Sequence, residues 1–229
     1  MRIILITGGA GFIGSNFIPY FLEKNLNYSV VNLDLLAYAG NSLNLKEVEN
    51  NSNYKFIKGD ICERKLVASL FKEYNFNGVI YFAAESHTDN FVENPDPFVK
   101  TNVFATFTLL DVAKNYWMDS LSRYKAAFKN ARFHHISTDE VYGTLGKKGL
   151  FTEQTPYAPN TPCSASKASS DFSVRSYFHR HSMNLGNTNF SYNYSLKQHN
   201  EKLIPKIIRK ALSGDKIHIY GDGKNLMDI

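Results

Sequence analysis

Short apolar runs rich in β-branched residues alternate along the chain with longer segments whose apolar positions recur at helical period. The runs at residues 3–7, 29–34, 55–58, 79–83, 132–136 and 187–192 predict strands. The periodic segments at 11–24, 63–74, 95–117, 163–181 and 202–213 predict helices. Such alternation belongs to a parallel sheet covered by helices on both faces, so the expected fold is α/β and doubly wound. Residues 143–162, rich in Gly, Pro, Thr and Lys, read as a loop across the mouth of the sheet. A last short strand is expected at 216–220, before the turn Gly221-Asp222-Gly223. No internal repeat or low-complexity tract interrupts the pattern.

Composition narrows the class. With 229 residues, 43% apolar and 21% charged, the chain can bury a core without disulfide or metal support. Cys62 and Cys163 lie far apart and in no metal-ligand spacing, so no metal site and a reducing cytoplasm are expected. No apolar stretch approaches the roughly 20 residues that span a bilayer. The opening apolar run reaches glycines too soon for a secretion signal and reads as a buried strand. The net charge of +5 is scattered rather than striped, and no nucleic-acid-binding module is recognisable.

The first chemistry follows the first strand. Thr7-Gly8-Gly9-Ala10-Gly11-Phe12-Ile13-Gly14 opens a helix, where glycines let a diphosphate approach bare amides at the positive end of the helix. Asp34 ends the second strand, 20 residues after Gly14. A carboxylate there accepts the ribose hydroxyls and repels a 2′-phosphate, which favours NAD over NADP. This is a Rossmann-type arrangement. Asp60 and Ile61 can border the adenine, although Asp60 reads nearly as well as an exposed strand end.

A second cluster follows the fifth strand. His134-His135-Ile136-Ser137-Thr138-Asp139-Glu140 places Thr, Asp and Glu at the carboxyl end of a central strand, where open α/β sheets bind ligands. Adjacent carboxyls can divide acid and base roles if their surroundings separate their pKa values. A solvated acidic loop is the equal alternative from this segment alone. Cys163 and Lys167 lie one turn apart on the fifth helix. The histidines, having no ligand-spaced partners, read as surface or core residues.

Several longer motifs resemble the extended short-chain dehydrogenase/reductase superfamily, in its NAD-dependent epimerase/dehydratase branch, and within it the dTDP-glucose 4,6-dehydratases. They are Asp34-Leu35-Leu36-Ala37-Tyr38-Ala39-Gly40-Asn41, Ala83-Ala84-Glu85-Ser86-His87, Asn115-Tyr116-Trp117, residues 133–143, residues 164–171 and Glu201-Lys202-Leu203-Ile204-Pro205. The Thr138-Asp139-Glu140 triplet separates the dehydratases from sister epimerases. The resemblance implies a cycle on dTDP-glucose: NAD-mediated oxidation at C4, elimination of water across C5–C6, and hydride return to C6. Glu140 would take the C5 proton, Asp139 would protonate the leaving hydroxyl, and Thr138 would hold the C4 oxygen. Lys167 would bind the nicotinamide ribose. Gly8, Gly11, Phe12, Ile13, Gly14, Asp34, Asp60, Ile61, Ala83, Ala84 and Asn193 would hold NAD. Ser86, His87, Lys202, Leu203 and Tyr220 would meet the nucleotide sugar. A homodimer through the helices at 95–117 and 163–181 is also implied, with neither a nucleic-acid nor a membrane partner.

Departures from the pattern cluster at the site and toward the end of the chain. The family's catalytic tyrosine is Cys163, whose sulfur lies several ångströms short of a phenol oxygen. Tyr192 stands where a sugar-binding Asn belongs, Ser195-Leu196 stands for Gly-Pro, and Met227 for a diphosphate-binding arginine. The expected division is an NAD-binding domain at 1–185 and a partial substrate-binding region at 186–229, so that the C-terminal substrate domain is incomplete. Apolar positions in 203–212 and 217–220 are then expected to lack packing partners.

Overall fold

In the computed structural model, which describes residues 1–86, 95–145 and 149–217, strands and helices alternate. The strands of the main sheet are β1 (Arg2–Thr7), β2 (Tyr28–Asp34), β3 (Tyr54–Lys58), β4 (Gly78–Tyr81), β5 (Arg132–Thr138) and β6 (Leu185–Phe190). They pair in parallel in the order β3-β2-β1-β4-β5-β6. The order reverses between β1 and β4, and the carboxyl ends on either side of that point form the crevice of a doubly wound sheet.

The helices are α1 (Phe12–Lys24), α2 (Arg64–Tyr74), α3 (Ala105–Trp117), α4 (Pro162–His181) and α5 (Leu203–Ser213). One core gathers Leu5, Leu33, Phe71, Val79, Leu109, Trp117 and Phe133 between one sheet face and helices α2, α3 and α4. The Trp117 indole donates to the Phe76 carbonyl at 2.8 Å, so its polar atom is satisfied inside that core. On the opposite face α1 lays Ile18 and Leu22 against Ile4, Ile6 and Val30. Burying each such side chain stabilises the fold by about 1.5–3 kcal/mol.

Four details differ from the sequence expectations. β4 stops at Tyr81, so Ala83 leaves the sheet and turns toward the glycine loop. β6 begins two residues earlier than its apolar pattern indicates, because its register on β5 runs from Phe133↔Leu185 to Thr138↔Phe190. The helix expected at 95–117 is interrupted by a π turn at Val99–Phe104, before α3. Lys216 and Ile217 join no strand; the rest of the expected 216–220 strand, and the turn after it, lie outside the described residues. Among the described residues, no helix is long and apolar enough to cross a membrane.

Candidate active site

The glycine turn is held by side chains from β2. Gly8 sits at φ +70°, and a Cβ on it would lie 2.5 Å from the Ala83 backbone, so only glycine lets the exits of β1 and β4 meet. The buried Asn32 side chain accepts the Gly9 amide at 3.1 Å, and Asp34 accepts the Ala10 amide on Oδ2 at 2.9 Å. Its Oδ1 accepts the Leu36 amide at 2.8 Å. Burial pushes the Asp34 carboxyl up, and the amides of Leu36 and Ala10 oppose this. Each oxygen keeps a further lone pair for a hydroxyl donor.

Helix α1 begins at Phe12 with no side chain capping its first turn. Its first amides have no acceptor inside the helix, and together with the helix dipole they suit an anionic diphosphate. Gly11 faces open space on all but one side, whereas Gly14 abuts the Gly8 and Gly9 backbone. These residues fit a dinucleotide: backbone donors at the turn and an acceptor at the neighbouring strand end.

Pro19 gives α1 a second use. It has no N–H for the Ser15 carbonyl one turn back. Lys197 Nζ donates to that carbonyl at 3.1 Å and pairs with Glu47 at 2.5 Å. Asn16 adds a bond to the Leu196 carbonyl at 3.0 Å. The loop after β6 is thereby fastened to the start of α1.

Across the crevice, Thr138 ends β5 and its hydroxyl caps the following turn by accepting the Glu140 amide. Thr138 and Asp139 are half-buried, and Glu140 stands at the rim. The protein packed around Glu140 and the adjoining Asp139 charge raise its carboxyl above the ordinary range, while Lys202 opposes them. Lys202 also approaches the Ser86 carbonyl at 3.5 Å. Tyr38 shares a hydrogen bond with Ser86, and burial holds its phenol up at about 12.

Helix α4 supplies Cys163 and Lys167. It starts with a reciprocal capping box between Thr161 and Ser164, which fixes the turn on which Cys163 lies. Burial and the charge of Glu140 push the Cys163 thiol up to about 11, so it stays protonated. Lys167 is buried, donates to the Ile136 carbonyl at 2.7 Å, and is pushed down to about 8 by burial.

Several organising residues gave little sign in the sequence. Asn102, inside the π turn, is 1% exposed. Its side chain accepts the Glu85 amide at 3.0 Å and donates to the Glu85 carbonyl and to Ser166, fixing the segment that carries Ser86. His135, fully buried, has Nε2 3.2 Å from Asp171 Oδ1. A π turn at a functional site and a buried amide clamping backbone are tertiary features, with no local period to announce them.

The other expected residues are dispersed. Ile61 lies in the core, and Asp60 accepts the Cys62 amide and pairs with Lys100 at 3.2 Å. Burial raises the Asp60 carboxyl, but the Cys62 bonds and Lys100 overcome it and hold the pKa low. Phe12 and Ile13 are half-buried at the start of α1, Ala84 is exposed, and Leu203 is exposed at the start of α5. Asn193 is exposed and donates to the Ser191 carbonyl. The Tyr192 hydroxyl is buried with no partner among the described residues. His87, Tyr220 and Met227 lie outside the described residues.

A family model described as GDP-mannose 4,6 dehydratase matches residues 5–229. The chain belongs to that family. Among similar members, the dTDP-glucose 4,6-dehydratase of Xanthomonas campestris pv. campestris (strain B100) is 49% identical over 228 residues, covering 100% of this chain and 64% of the relative. The chain thus spans about two thirds of the length of the curated relatives it matches. Among solved structures, the dTDP-glucose 4,6-dehydratase of Bacillus anthracis in complex with NAD superposes with a TM-score of 0.87 at 42% identity, over 100% of this chain and 67% of that one. The Streptomyces venezuelae dTDP-glucose 4,6-dehydratase, also with NAD bound, gives 0.88 at 37%, over 99% and 67%. These family members share the doubly wound sheet.

Proposed function

We propose that this chain binds NAD and acts on dTDP-glucose as a 4,6-dehydratase, with Cys163 making the sugar oxidation its weak step. The observation that carries the reading is the acid pair at the end of β5: Glu140 adjoins Asp139, whose charge raises its carboxyl, and lies within electrostatic reach of Lys202 and Cys163. The chemistry that NAD supplies when bound is hydride acceptance from C4 and hydride return to C6. Asp34 and the glycine turn would seat its adenosine and diphosphate, and Lys167 its nicotinamide ribose. Thr138 would hold the C4 oxygen, Glu140 would take the C5 proton, and Asp139 would protonate the departing C6 hydroxyl. A base with a raised pKa is the better proton acceptor near neutral pH.

A second reading, NAD binding without useful turnover, is favoured by the position and protonation of Cys163. A general base must come within about 3 Å of its proton or act through one water. A protonated thiol one bond beyond Cβ meets neither need directly. Turnover of dTDP-glucose, followed by the alkaline absorbance of 4-keto-6-deoxy sugars, separates the readings. The first expects slow formation, raised by roughly 10²–10⁴ in Cys163→Tyr. Product from neither form overturns it. If NAD gives no thermal stabilisation, both readings fail.

The reading also includes a homodimer through the segments at 95–117 and 163–181, which carry Phe104, Phe107 and Phe178, each about half exposed. It includes a reducing cytoplasm, in keeping with two free cysteines.

A further inference from the structure

Behind the catalytic strand lies a buried polar network that the proposed reaction leaves unused. Its centre is Asp171, 5% exposed, one turn after Lys167 on α4. Asp171 Oδ2 accepts the Ser137 hydroxyl from β5 at 2.8 Å and the Tyr157 phenol from the segment before α4 at 2.9 Å. Asn189 of β6 reaches the same oxygen at 3.4 Å, and donates to the Thr138 carbonyl at 3.2 Å and the Tyr157 hydroxyl at 3.3 Å.

We propose that Asp171 is the positioning residue of this site: through one carboxylate it locks the segment that carries Tyr157 and the ends of β5 and β6 to the helix turn that presents Lys167. Each tie acts on a part of the candidate active site. Ser137 precedes Thr138, so its bond fixes where the Thr138-Asp139-Glu140 triplet leaves the sheet. Tyr157 anchors the loop that returns from the triplet to α4, and the loop closes on itself where the Ala158 amide meets the Val141 carbonyl at 2.9 Å. Asn189 ties the Thr138 carbonyl to both.

Charge adds a second role. The groups facing Lys167 are Asp171 and Cys163 on its own helix and His135 on β5. Cys163 stays a thiol. His135 is held down at about 4, by burial first and then by Lys167, and is neutral near pH 7. Asp171 is therefore the negative charge that keeps the buried ammonium protonated. Asp171 itself faces His135 and Ser137 from β5, Tyr157 and Tyr142 from the loop side, Asn189 from β6, and Lys167. Burial opposes its ionisation, but His135, Ser137 and Lys167 prevail and hold its pKa below the ordinary value.

The inference rests on the dehydratase reading only for what Lys167 is used for. Its test needs no NAD and no turnover. In protein labelled with 13C at lysine Cε, the Lys167 signal, identified by its loss in Lys167→Met, should titrate near pH 8. In Asp171→Asn, which keeps an acceptor oxygen but loses the charge, the midpoint should fall by about one pH unit or more. Amide exchange in residues 149–158 should accelerate by about tenfold. Failure of either change in a folded Asp171→Asn protein overturns the proposal. Should that variant not fold, Tyr157→Phe provides the test: loop exchange speeds up similarly while the Lys167 midpoint stays in place, and unchanged exchange overturns the proposal. Failure here with NAD binding intact leaves the dehydratase reading standing.

Discussion

Asp34 holds one backbone amide on each carboxylate oxygen and still has lone pairs to offer. Its removal takes away charged acceptors for a ribose and loosens the glycine turn at Ala10. Asp34→Ala should weaken NAD binding by roughly ten- to a hundredfold, the range expected for hydrogen bonds to a charged group. Isothermal titration would measure it. His135 gives a second prediction at this scale. Its folded pKa of about 4 lies below the unfolded value of 6.5. Between those values the unfolded chain binds the extra proton, so this contribution to stability is complete above pH 6.5 and is lost as pH falls toward 4. Up to about 3 kcal/mol is at stake in this fully buried residue. Denaturant midpoints for the parent and His135→Asn between pH 7 and about 4.5 should converge on acidification.

At the scale of elements, the crevice depends on how closely the exits of β1 and β4 approach. Gly8→Ala would force a Cβ into the Ala83 backbone at a positive φ, so it should destabilise the fold by more than about 1 kcal/mol. Urea denaturation measures that loss. The strands and helices were legible in the sequence because each carries apolar positions at its own period, buried in all but α5. Asp34 and the Thr138 triplet were legible because strand ends in such sheets point to one crevice. The elements that were not legible take their meaning from distant partners. The π turn holds Asn102 against the Glu85 backbone, far away in sequence. Asn32 fell inside an expected strand, and Asp171 closed the 164–171 motif with no role assigned to it. Their roles rest on contacts with neighbouring strands that no local pattern encodes.

For the molecule as a whole, α5 is the outlier. None of its residues is buried, and Leu203, Ile208 and Leu212 are 54%, 54% and 84% exposed. A helix with one apolar face that no described residue buries promotes association. Sedimentation should show concentration-dependent association that Ile208→Lys with Leu212→Lys reduces, with NAD binding retained at the other end of the crevice. Phe107→Asp should instead dissociate the proposed α3–α4 dimer, so the two substitutions separate specific from incidental contacts.

The capping box that starts α4 has a consequence for how such a site can change. Thr161 and Ser164 grip each other's backbone on either side of position 163, and neither uses the side chain found there. The side chain at 163 is thus a replaceable fitting on a fixed mount. A chain of this kind can exchange the group proposed for its oxidation step by one substitution, lost or regained, while the helix that carries it stays unaltered.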